Sequence, residues 1–457
     1  MDETRRLASF LAELSYTDLS AEVVERTKDL ILDQLGVELA VSTTPQSMVL
    51  YKYVKGFGGL GESTIVNYGD KVKAENAAFV NAAFGNGFEL DDTYLLSGTH
   101  PGAITVPTAL AVGEREVADG RTFILAVVAG YEAMGRISRA VAPSYWYRGF
   151  DPITVSGPFG AAAAVGKVLG FKTELMLNAI SIAASHSSGI MEYAQTGGNV
   201  KKIHGGIAAF GGIRSAFLAQ AGITGPPTIL EGRSGFCRAF ADDCRLSDIT
   251  SNFGKDFVVM GISFKRHCVC YQIQAPIDAT SEIVHRHGVK PDEIEEIVIG
   301  TNKLALPVVG TIYEPEEVAA AQFSAPFSVA MCVIKGKNGF RDYTEENLKD
   351  PDIKALARRI RLEVDAEIQA MFPQKRAVRV TVRLKNGATY QEKLDGAKGT
   401  PVNPMTKSEI EDKFRDLATV VLPRSRAEEV VKVVEDLDRV KSVTALCNLL
   451  SAQCSGS

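Results

Sequence analysis

The sequence predicts a mainly α fold: an all-helical bundle domain formed by both chain ends, with an α+β domain inserted between them. Apolar residues recur at three- and four-residue steps through residues 1–265 and again through residues 401–457, the spacing of helices with one buried face. Residues 266–400 have a different texture, with β-branched runs and one strict alternation. A chain of 457 residues is also longer than one core usually supports.

The elements follow in order. Ser20 is placed to cap a helix with Glu22 in its first turn, and Val23, Val24, Thr27, Leu30, Ile31 and Leu35 form its apolar stripe. Residues 77–88, 102–114, 123–140, 157–169, 175–187 and 205–221 continue the helical series, and their alanines and glycines suit close approach of helix axes. After a helix over residues 279–287, the stretches 294–300 and 378–384 read as strands. Lys385-Asn386-Gly387 turns the second of these into a hairpin with residues 390–394. Helical spacing returns over residues 407–417 and 426–450.

Composition excludes several classes. A net charge of −5 and a pI near 5.8 argue against a nucleic-acid or anionic-membrane surface, so binding of anions requires a local cluster of cations. No apolar run approaches the roughly 20 residues of a membrane span. The acidic start Met1-Asp2-Glu3 does not read as a signal peptide. Seven cysteines without CxxC spacing read as free thiols of a cytoplasmic protein, and no metal site or cofactor motif is expected.

Four segments carry candidate chemistry. Glu89, Asp91, Asp92, Thr93 and His100 gather carboxylates, a hydroxyl and an imidazole within twelve residues, which suits proton transfer and substrate orientation; solvated or capping acids are the plainer alternative. Lys201-Lys202-Ile203-His204 opens a helix and suits a carboxylate, or else is a solvated basic turn with a packed histidine. Lys265 lies where helical texture gives way to the insertion, where desolvation would lower its pKa toward that of a base. Tyr145-Trp146-Tyr147-Arg148 is an aromatic cluster that reads either as core or as a phenol whose pKa is depressed by lysines held beside it.

The segment Lys265-Arg266-His267-Cys268-Val269-Cys270-Tyr271-Gln272-Ile273-Gln274-Ala275-Pro276-Ile277-Asp278, with Asp91-Asp92-Thr93 and His100-Pro101 upstream, resembles the lysine and acidic motifs of the MmgE/PrpD family. The resemblance covers nearly the whole chain and implies the same bundle-plus-lid plan, a homodimer and a small polycarboxylate substrate. It also implies pocket positions for Thr93, His100, Lys201 and Lys265, with Glu89 in place of an aspartate. Tyr271 stands where that motif carries arginine and Gln274 where it carries histidine, and both are expected to face substrate.

The expected function is therefore a cofactor-independent epimerase that abstracts a proton next to a carboxylate of an iminodisuccinate-like substrate, because loss of that arginine and histidine weakens dehydration and decarboxylation more than epimerisation. Lys265 is the expected base, with Tyr145 or His100 opposite; Glu89, Asp91, Asp92, Thr93, Lys201, Arg148, Tyr271 and Gln274 are the expected binding residues. The alternatives are a lyase of the 2-methylcitrate dehydratase or cis-aconitate decarboxylase type, and a non-catalytic protein of the same fold.

Overall fold

The structure, a computed structural model, describes residues 2–372 and 374–452. It divides into two compact units, one of residues 1–87, 91–262 and 406–457, the other of residues 88–90 and 263–405. The expected cuts at 265 and 400 differ from these, and Lys265, expected in the helical domain, belongs to the second unit.

The first unit is helical. Helix α1 spans Glu3–Glu13, α2 Ala21–Val41, α3 Ala74–Asn86, α4 Gly102–Arg115, α5 Gly120–Val141, α6 Pro152–Val168, α7 Thr173–Ala183 and α8 Lys201–Gln220. The Ser20 side chain accepts from Val23 N at 3.3 Å and so starts α2; Asp119 and Asp151 begin α5 and α6 in the same way. Glycine sets how closely these helices approach. A Cβ on Gly130 would sit 3.0 Å from the carbonyl oxygen of Gly160, and one on Gly212 would sit 2.2 Å from the Ala161 Cβ, so α5, α6 and α8 pack nearly backbone to backbone.

Three expectations shift. The helix expected over residues 77–88 ends at Asn86, because Gly87 closes it and Glu89 takes a left-handed backbone (φ 56°) that a helix cannot contain. Helix α8 takes in four residues ahead of the stretch 205–221 and begins at Lys201, where the lysine pair is expected to open a helix, so both lysines lie in its first turn. The stretch 426–450 divides into Arg424–Glu435, Leu437–Arg439 and Thr444–Leu449. Lys28 Nζ donates to Glu435 O and Asp438 Oδ1 at 2.8 and 2.7 Å, which satisfies the C-terminal carbonyl of the first piece.

The second unit holds α9 (Tyr271–His287), β1 (Ile294–Thr301), α10 (Ala325–Lys335), β2 (Ile360–Val364), β3 (Val378–Leu384) and β4 (Thr389–Leu394). Its sheet has the order β2-β1-β3-β4. β1 pairs in parallel with β2 (Ile297 opposite Ile360) and antiparallel with β3 (Val298 opposite Thr381). The hairpin of β3 and β4 pairs Val382 with Tyr390 and turns at Gly387, whose φ of 90° favours glycine. Val378, Val380, Val382 and Leu384 are buried, and β3 packs on α9. Strand β2 escapes sequence reading because its five residues lack two-residue alternation of burial. The mainly α class with a small sheet region is what the sequence predicts. Among the described residues, no helix is long and apolar enough to cross a membrane.

Candidate functional site

In the first unit the loop between α3 and α4 gathers the acids. Asn86 Nδ2 donates to Asp91 Oδ2 at 2.7 Å, Tyr131 OH to Asp92 Oδ2 at 2.6 Å, and Gly102 N to Asp92 Oδ1 at 3.0 Å. Burial, helped by the charges of Asp91 and Asp33, pushes the Asp92 pKa up to about 7 against the hydrogen bonds from Tyr131 and Gly102. His100 Nδ1 lies 2.5 Å from the carbonyl oxygen of Asp92, 3.4 Å from Thr93 Oγ1 and 3.6 Å from Asp91 Oδ2. A carbonyl only accepts, so Nδ1 carries the proton and Nε2 is the basic nitrogen of the neutral ring. Asp91, Asp92, Thr93 and His100 thus come together as expected from their spacing.

A second polar group surrounds Asp151. Its Oδ1 caps α6 through Ile153 N at 2.9 Å, while Oδ2 accepts from Tyr193 OH at 2.7 Å and lies 3.1 Å from His204 Nδ1. Burial works to raise the Asp151 pKa, but His204, Tyr193 and the amide of Ile153 outweigh it and hold the carboxylate below its ordinary range. Lys201 lies one turn before His204 on α8 and is partly buried. Arg148 is exposed and lies 3.6 Å from Asp242.

Tyr145 differs from expectation. It is fully buried, its hydroxyl donates to Ser97 O at 2.7 Å, and burial together with the Asp151 charge pushes the phenol well above its ordinary pKa, the reverse of the depressed value expected of a proton-transfer group.

In the second unit Lys265 is enclosed, its side chain 1% exposed, and Nζ contacts Glu89 Oε2 at 3.0 Å. The short piece 88–90 is held there by further bonds. Gln322 Nε2 and Cys268 Sγ donate to Phe88 O at 2.9 and 3.2 Å, which supports the left-handed backbone at Glu89.

Gln274 corrects another expectation. Its Oε1 accepts from His267 N at 3.0 Å, and Nε2 donates to His267 O at 2.7 Å and Val269 O at 3.1 Å. Both amide hydrogens are committed, so this residue clamps the loop after Lys265 and has no donor for a substrate. Asp278 is a brace of the same kind, contacting His267 Nε2 at 2.9 Å and accepting from Lys398 N at 2.8 Å. A cleft of ≈ 860 Å³ is lined by Arg266, His267, Asp278, Lys337 and Lys398 among others, and not by Lys265, Glu89 or Tyr271.

Sequence reasoning missed Asp151 and Tyr131. Asp151 had a local signal in Asp151-Pro152, a cap followed by a first-turn proline, whereas Tyr131 looks like any aromatic of an apolar helix.

Family models match most of the chain. Residues 5–247 match the MmgE/PrpD N-terminal domain and residues 267–439 the MmgE/PrpD C-terminal domain. Cis-aconitate decarboxylase of Aspergillus terreus is 26% identical over 470 residues, covering 98% of this chain and 96% of its own. Cis-aconitate decarboxylase of Homo sapiens is 27% identical over 461 residues, covering 98% and 94%. A cis-aconitate decarboxylase-like protein, oryM, of Aspergillus oryzae is 25% identical over 472 residues, covering 98% and 97%. These relatives bear the names of lyases, which overturns the epimerase expectation. That expectation leaned on two replaced side chains, and one of them, Gln274, is a loop clamp.

Proposed function

Because the chain belongs to the MmgE/PrpD family, we propose that it is a lyase that releases carbon dioxide from cis-aconitate or a closely similar unsaturated polycarboxylate. The observation that carries this reading is likeness to cis-aconitate decarboxylases over 98% of the chain.

The chemistry asks for little machinery. The bond from a carboxylate carbon to its neighbour breaks, its electron pair moves into the adjoining alkene, and a proton joins the far alkene carbon as carbon dioxide leaves. Cations that hold the remaining carboxylates also stabilise the charge that develops on carbon. We assign proton handling to His100 and Lys265. The first has its tautomer set by Asp92 O, and the second is buried against Glu89, where exclusion of water strengthens each charge. Asp91, Asp92 and Thr93 orient the imidazole, while Lys201 and Arg148 are assigned to substrate carboxylates.

We also infer a homodimer. Val49, Tyr53 and Phe57, one turn apart from the helix Pro45–Lys55 onward, are each more than half exposed, and such an apolar stripe suits a partner. Light scattering should give twice the chain's 49.1 kDa; a single-chain mass at assay concentration would remove the dimer.

The reaction is tested by NMR with cis-aconitate in deuterium oxide. The expected result is release of carbon dioxide and one deuterium on carbon in the product. No decarboxylation, or dehydration of 2-methylcitrate in its place, would overturn the assignment.

A further inference from the structure

Three polar side chains of the second unit hold buried atoms that lack a partner of normal geometry. The hydroxyls of Ser263 and Tyr271, and Nε and Nη1 of Arg376, make no hydrogen bond of normal geometry among the described residues. Leaving such atoms bare is costly, most of all for a cation. The charged or ionisable groups that bear on Arg376 are Tyr271 and Cys270, and no carboxylate is among them. The Phe372 ring, 4.5 Å from the guanidinium carbon, offsets only part of that cost.

The fold brings these groups to one place. Tyr271 is the first residue of α9, Arg376 stands two residues before β3, and β3 packs on α9. Tyr271 and Arg376 line one narrow cavity of ≈ 10 Å³ with Ala275, Pro276 and Thr301, room for a single water-sized oxygen. Burial pushes the Tyr271 pKa up to about 12, so the phenol stays a donor, while the nearby Ser263 hydroxyl and the Arg376 charge pull the other way. Two donors, one of them a permanent cation, thus line a space that fits one oxygen and supplies no anion, and the Ser263 hydroxyl lies beside the phenol.

We infer that Ser263, Tyr271 and Arg376 form a subsite for one carboxylate of the substrate, with Arg376 supplying from before β3 the guanidinium that the family motif carries at position 271. The inference rests on the polycarboxylate reading above but not on which reaction follows. A carboxylate oxygen entering the cavity gives the guanidinium its missing counter-charge and the phenol an acceptor.

Calorimetric titration with tricarballylate, a saturated tricarboxylate with no alkene to react, tests it without turnover. Arg376→Met should weaken binding by at least about 30-fold, the loss typical when one partner of a desolvated charge pair is truncated. Arg376→Lys should recover part of that loss, and Tyr271→Phe should cost about three- to tenfold for one neutral hydrogen bond. Arg361→Met, on the outer strand β2 and paired with Glu296 and Glu363, should bind as the wild type does. If the wild type turns over cis-aconitate, Arg376→Met should raise KM by more than it lowers kcat.

Wild-type binding without release of carbon dioxide would end the decarboxylase reading and leave the subsite standing. A folded Arg376→Met that binds tricarballylate as tightly as the wild type would overturn the subsite whatever the reaction. So would a wild type that binds inorganic phosphate but not tricarballylate, or binds neither. If Arg376→Met does not fold, unchanged affinity in both Arg376→Lys and Tyr271→Phe overturns it.

Discussion

Replacing Lys265 with methionine separates stability from chemistry. The lysine side chain is 1% exposed and its partner Glu89 8% exposed, so Lys265→Met removes a cation 3.0 Å from a buried carboxylate. Breaking a buried pair from one side costs about 3–5 kcal/mol, a large part of the roughly 5–15 kcal/mol that holds a typical domain together. Loss of a proton-transfer group lowers turnover by about 10²–10⁴-fold. The single variant therefore confounds the two effects, and the double variant Lys265→Met with Glu89→Gln resolves them. It removes both charges and keeps most of both side-chain volumes, so urea melts should return most of the lost stability while release of carbon dioxide stays at the level of the single variant. A Lys265→Met protein within about 1 kcal/mol of wild type would refute the buried ion pair. Near-normal turnover in the double variant would refute any role for the lysine in proton transfer.

Two further outcomes follow from the first unit. Burial pushes Glu38 to about 8, against the hydrogen bond from Gln34; the folded chain then keeps a proton that the unfolded chain releases above about 4.5, so stability is fullest below that value and is lost as pH rises toward 8. Glu38→Gln should flatten this part of a pH series of urea melts, and an unchanged slope would remove Glu38 from it. Gly102→Ala would place a Cβ 2.7 Å from the Tyr131 hydroxyl and 2.9 Å from Asp92 Oδ2, so about 1–3 kcal/mol of overpacking and at least a tenfold loss of activity are expected in melts and assays; wild-type values in both would show that the loop yields freely.

What the sequence made legible was what repeats locally. The Ser20 cap, the stripe of α2 and the alternation of Val378, Val380, Val382 and Leu384 each encode a buried face within a few residues, and the structure has those faces. The acids and imidazole at 91–100 were legible for the same reason, because a short loop keeps near in space what is near in sequence. Long-range pairing leaves no such trace. Arg376 belongs to a Gln-Lys-Arg run that looks solvated, and only the packing of β3 on α9 brings it beside Tyr271. Tyr145 failed for a related reason, since the direction of its pKa depends on whether burial or a cation dominates, and burial is a property of the folded chain.

The membership of Phe88–Leu90 in the second unit bears on how this protein can be taken apart. Glu89 and Lys265 are 176 positions apart in the chain yet share one ion pair, so that contact closes a very long loop and forms only after most of the polypeptide exists. A gene fragment cut at the edges of the matched C-terminal family domain, residues 267–439, would carry neither partner. One begun at Ser263 would carry the buried lysine without its carboxylate, and with Gln322 and Cys268 lacking the carbonyl of Phe88 that they bind. Half-length expression of this chain therefore calls for residues 88–90 to be grafted back, as a tether or an added peptide, before the excised half is judged unable to fold.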